Sequence, residues 1–148
     1  EDKDHDLALL RIYGARGLKP LNIAGQATQT TLDITGIADP QNQGGAAAVS
    51  TMKASVAQIG GGGDAALSPA PAVGFSGAAA FDSDGKFAGI ALLKPVLVAG
   101  ATNATPSAQA TLVAPATVRD FLKAHGVTAS GGSADAKAAV VRVICVRK

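Results

Sequence analysis

Ser76 sits between glycines in Gly74-Phe75-Ser76-Gly77, a spacing that can carry nucleophilic chemistry. Glycine permits backbone conformations that other residues resist, so such a turn can leave a hydroxyl accessible. It can also aim successive N–H groups at one point, as stabilising a developing oxyanion requires. Alone, the pattern is short enough to arise in any tight turn of small residues. The other candidates carry less. Gly60 to Gly63 lacks a following Lys-Ser or Lys-Thr and is followed by Asp64, which repels phosphate, so it reads as a loop. Asp82-Ser83-Asp84-Gly85 has the start of a calcium loop without its later acidic ligands, and reads as a hairpin turn. Asp2, Asp4, His5 and Asp6 alternate onto opposite faces of an extended segment, which makes all but Asp6 a solvated charge cluster rather than a metal site. His125 suits the negative end of a helix dipole. Cys145 lies in an apolar run with no close cation to lower its pKa, and reads as a small core residue. Asn103-Ala104-Thr105 has only the form of a glycosylation acceptor.

The elements that must position these residues are mostly strands. Residues 6–13 (DLALLRIY) form an apolar run of buried-strand length. Residues 30–36 alternate Leu32 and Ile34 with polar neighbours at the period of a half-solvated strand. Residues 49–59 favour an extended segment. Residues 78–81 and 86–93 flank the Asp-Gly turn and predict a hairpin, residues 109–114 a further short strand, and residues 140–146 a last one. Val118, Phe121 and Leu122 recur at i, i+3 and i+4 before Gly126, which predicts the single helix over residues 117–125. Residues 128–137 read as a linker. Six or more strands to one helix, with frequent turn signals, predict an all-β barrel or sandwich.

Composition narrows the function classes. Alanine and glycine together fill 50 of 148 positions, so the core packs small side chains with Leu, Ile and Val, and its stability margin is thin. The net charge of +2 comes from 13 scattered cations, too few and too dispersed for a phosphate-binding stripe, which argues against nucleic acid. No apolar run reaches the roughly 18 residues of a membrane span. A lone cysteine excludes an intramolecular disulfide.

The order of motifs resembles the trypsin-like serine proteases of the chymotrypsin fold, most closely the bacterial HtrA/Deg branch. In that branch a Gly-x-Ser-Gly-Gly-Pro turn leads into a strand, a hairpin and a second strand ending in Gly-Ile or Gly-Val. Here these are Gly74-Phe75-Ser76-Gly77-Ala78-Ala79, then Asp82 to Gly85, then Gly89-Ile90. Asp6-Leu7-Ala8-Leu9-Leu10 is similar to the strand that opens with the triad aspartate. Leu112-Val113-Ala114-Pro115 and the helix after it resemble the family's closing elements.

The resemblance implies a Greek-key barrel, the C-terminal barrel of a two-barrel protease, with one short C-terminal helix. Residues 1–13 would be the last strand of the first barrel, residues 14–127 the second barrel, and residues 128–148 a linker and tail. Ser76 would be the nucleophile, Asp6 the carboxylate orienting the general-base imidazole, and the Gly74 and Ser76 N–H groups the oxyanion hole. Leu92, Leu93 and Lys94 would be the edge that pairs with substrate backbone. Ala70 would be the floor of a pocket for aliphatic side chains. No cofactor is implied. The partners are a polypeptide substrate and the N-terminal barrel, and the setting is the bacterial periplasm or the secreted fraction. Two features depart from the family: Ala78-Ala79 replaces Gly-Pro, and neither His5 nor His125 stands where the triad histidine belongs. The segment with that histidine is therefore expected to be missing from this chain, leaving the chain inactive by itself. The competing readings are a pseudoprotease or peptide-binding barrel without turnover, and a structural β-domain of a surface protein.

Overall fold

The computed structural model describes residues 1–14, 16–17, 20–25, 30–39, 41, 44–58, 65–95, 108–129, 136–141 and 143. Six antiparallel strands close into a barrel: β1 (Thr31–Ile37), β2 (Val49–Gln58), β3 (Ala65–Ser68), β4 (Ala79–Phe81), β5 (Phe87–Pro95) and β6 (Ala108–Val113). Their order around the barrel is β1-β2-β3-β6-β5-β4, with β4 returning to β1. Two helices follow, α1 (Pro115–Ala124) and the single turn α2 (Ala136–Ala139). No helix among the described residues is long and apolar enough to cross a membrane.

Closure depends on small side chains. The barrel interior packs Leu32, Ile34, Leu67, Leu112 and Phe75 against alanines at 54, 65, 78, 80, 88, 91 and 110. The long strands β2 and β5 are each shared between two neighbours. Thus β2 pairs with β1 up to Ser55 and then with β3, and β5 pairs with β4 up to Ile90 and with β6 from there to Pro95. Thr35, the one buried polar side chain among the described residues, is satisfied by Thr51 Oγ1 at 3.0 Å.

The hairpin between β4 and β5 forms as its Asp-Gly pair predicts. Asp82 Oδ1 accepts the N–H groups of Asp84 at 3.0 Å and Lys86 at 2.8 Å, and Gly85 adopts φ +72°. The Asp82 carboxylate is thus the acceptor that folds the turn. The expected helix starts two residues early, because Pro115 at its first turn has no N–H to lose and a φ already suited to the helix. Helix α1 packs outside the barrel, where Val118 and Phe121 join Leu7, Phe81, Phe87, Leu92 and Val113 in a second cluster. Arg119 clamps the incoming chain by donating to the carbonyls of Ala24 and Gly25.

Three expectations differ from the structure. Residues 6–13 form no strand: a single bridge joins Asp2 to Leu7, and Leu9, Leu10, Ile12 and Tyr13 lie exposed, the last at 84%. Among the described residues, the segment makes no strand pairing with the barrel. Strand β3 was not expected, because the glycine run before it and prolines after it masked four residues that pair only through tertiary contacts. The expected terminal strand is not formed at Val140, Val141 or Val143, and its other residues, including Cys145, lie outside the described residues. So do Gly60 to Gly63, Asn103 and most of the linker.

Candidate active site

Strand β3 ends at Ser68, and the chain passes Pro69, Ala70 and Pro71 into a 3-10 turn at Val73–Phe75, followed by Ser76. Phe75 is buried and anchors the turn in the barrel, Ala78 is buried on the other side, and Ser76 and Gly77 between them are exposed. The turn closes through Phe75 N–H to Ala72 O at 2.9 Å, Ser76 N–H to Val73 O at 3.1 Å and Ala78 N–H to Phe75 O at 2.9 Å. Gly77, at φ +83°, reverses the chain so that its N–H donates to Ala91 O at 2.8 Å while Ala91 N–H donates to Ala78 O at 2.9 Å. The serine therefore rides on a loop fixed at both ends to rigid sheet.

Two glycines admit this turn. A Cβ at Gly74 would overlap the carbonyl oxygens of Ile37 and Ala38, and one at Gly36 would meet Ala78 Cβ at 2.7 Å and the Phe75 ring at 3.2 Å. Of these, Gly74 was legible as part of the serine motif. Gly36 was not, since its role exists only because β1 passes behind the turn. Of the two oxyanion donors the resemblance implies, the Ser76 N–H faces Val73 O and reaches another acceptor only when that carbonyl turns away.

The bonds of Ala91 toward Gly77 and Ala78 define one side of β5. Because hydrogen-bonding direction alternates along a strand, the N–H and C=O of Leu93 face the same side. Beyond Ile90 no described strand pairs with β5 there, so the edge is open at Leu92, Leu93 and Lys94. Leu92 turns its side chain into the cluster under α1, Leu93 is half-buried and Lys94 is exposed. Ala70 is exposed on the approach to the turn.

Asp6 is exposed, with the left-handed φ of +53° that ends the N-terminal turn. It precedes Leu7, which is buried in the cluster under α1. Among the described residues no hydrogen bond joins Asp6 to Ser76. Both histidines lie elsewhere. His5 Nδ1 is 2.8 Å from Asp2 Oδ2, and His125 Nδ1 is 2.8 Å from Phe121 O. They line one cavity of about 620 Å³ with Asp2, Asp4 and Asp120, whereas Ser76 lines another of about 400 Å³. The contact with His5, first through its ring and then through its backbone N–H, lowers the pKa of Asp2. Among the described residues no group of acidic, histidine or cysteine side chains is placed to hold a metal.

The fold is a closed six-stranded antiparallel barrel that carries an exposed serine on a glycine-framed turn. The trypsin-like peptidase domain family matches residues 1–90, more than half of the sequence. The chain belongs to that family. No curated protein and no solved structure gave a match.

Proposed function

We propose that this chain is the nucleophile-bearing barrel of a serine endopeptidase of the HtrA/Deg type, acting on extended polypeptide in the bacterial periplasm or outside the cell. The observation that carries this reading is the direct coupling of the Ser76 turn to the open edge of β5 through Gly77 and Ala91. A peptide added along Leu93 would run beside the serine. In the reaction, Ser76 Oγ attacks the scissile carbonyl carbon and its proton passes to an imidazole. The imidazole returns a proton to the leaving amine, and water then hydrolyses the acyl ester. Asp6 orients the imidazole, and the Gly74 and Ser76 amides receive the oxyanion once Val73 O releases the second of them.

The imidazole comes from a first barrel seated against Leu9, Leu10, Ile12 and Tyr13, whose exposure supports such a partner surface. His5 and His125 are each engaged outside the serine cavity, which supports the inactivity of this chain by itself. The test is a fluorophosphonate probe. The two-barrel protein is expected to label, Ser76→Ala to abolish labelling, and the 148-residue chain to remain unlabelled. Strong labelling of the 148-residue chain would show that it needs no imported base.

Two observations favour the second reading, a peptide-binding barrel without turnover. Ala78-Ala79 stands in place of Gly-Pro, and the Ser76 N–H is bonded within its own turn. On that reading the two-barrel protein binds extended peptide at Leu93 and does not label.

A further inference from the structure

The cavity of about 400 Å³ beside Ser76 has two unlike walls. One is the barrel itself, including Ile37 at the end of β1 and Ser76 and Gly77 of the turn. The other is distant in sequence and consists of Val140, Val141 and Val143, which follow α2. From this juxtaposition we infer that the C-terminal valines are an intramolecular occupant of the serine groove, a strap that an incoming polypeptide must displace.

The chemistry of both walls fits. The barrel wall presents the backbone of Gly36 and Gly74 beside the apolar side chains of Ile37 and Ala78, a surface suited to aliphatic groups. Valines are β-branched and favour extended backbone, the form in which a substrate chain would enter. The strap is shallow. Val140 is half-buried, but Val141 and Val143 remain 60% and 64% exposed, and Ser76 keeps its own exposure. Each valine therefore recovers only part of the stabilisation that full burial gives, and the contact opens and closes rather than sealing the groove. The consequence for proteolysis rests on Ser76 being the nucleophile, but occupancy of the groove does not.

Alkylation of the 148-residue chain carrying Ser76→Cys on a Cys145→Ala background separates the two. The thiol is offered a small reagent, iodoacetamide, and a bulky one, a polyethylene glycol maleimide, because a shallow strap hinders the second far more. A strap closed two-thirds of the time slows the bulky reagent about threefold. The double variant Val141→Asp/Val143→Asp places charge at already exposed positions, and a chain ending at Ala129 removes the strap outright. Both are expected to raise the maleimide rate about threefold while the iodoacetamide rate changes less than about twofold. An unchanged maleimide rate in either variant, with the parent's circular dichroism and melting temperature, overturns the proposal. So does an equal rise for both reagents, which would mean that the valines only stiffen the turn. None of these rates depends on catalysis, so failure of the strap is distinguishable from failure of the protease reading.

Discussion

At Gly74 the absence of a side chain is a packing requirement, because the space a Cβ would fill holds the carbonyl oxygens of Ile37 and Ala38. Backbone cannot swing aside as the end of a flexible side chain can. Gly74→Ala is therefore expected to destabilise the domain by about 1–3 kcal/mol, read from the urea midpoint at constant slope. Gly25→Ala is the control, since nothing lies within 4 Å of its Cβ position. A loss no larger at Gly74 than at Gly25 would show that the turn yields. Ala70 carries the specificity prediction. On the protease reading proposed above, a small, uncharged residue at this position gives a cationic side chain no counter-charge, so the two-barrel protein of that proposal is expected to cleave after aliphatic residues. Cleavage of a peptide library chiefly after Lys or Arg would refute that assignment.

The N-terminal turn adds a carboxylate acceptor to the burial of Leu7. Asp2 accepts N–H groups from Asp4 at 3.0 Å and His5 at 3.2 Å and faces the His5 ring, while Asp2 and Leu7 exchange backbone bonds at 2.7 and 2.9 Å. Its carboxyl is held below the ordinary aspartate range, chiefly by the His5 ring. A carboxylate whose pKa is depressed in the folded chain contributes stability that is present above the unfolded value, about 3.9, and is lost as pH falls through the folded one. The turn should loosen selectively below about pH 4, and only modestly, because the pair is exposed and screened by salt. Carboxyl NMR titration checks it: Asp2 is expected to titrate below the ordinary aspartate value, and Asp2→Asn is expected to bring the loosening of Leu7 to neutral pH. Titration of Asp2 at or above the ordinary aspartate value would count against it.

Over the whole molecule, the apolar surface divides unevenly. Leu7 is buried under α1, but Leu10, 61% exposed, leads a row with Leu9, Ile12 and Tyr13 that has no cover among the described residues. An uncovered apolar row promotes association. The 148-residue chain is expected to self-associate at micromolar concentration in sedimentation, and Leu10→Asp/Ile12→Asp to shift it toward monomer without lowering its melting temperature. A wild-type monomer at these concentrations would remove the row's claim to be a partner surface.

Much of this domain could be read locally. The Asp82 to Gly85 hairpin, the alternation of Leu32 and Ile34 in β1, the helical spacing of Val118, Phe121 and Leu122 and the glycine-framed serine each depend on steric and hydrogen-bonding rules that act over a few residues. Sequence alone also carried the family resemblance, because motif order survives where spatial contacts cannot be seen. Tertiary structure decided what local rules cannot reach. It made a strand of Ala65–Ser68 by placing β2 and β6 on either side, and set Gly36 behind the serine turn. It left the run at residues 9–13 in water instead of in a sheet, and it brought valines more than sixty positions downstream to the cavity beside the serine turn. Periodicity shows which side chains seek cover. The closing of the barrel determines which of them find it, and against what.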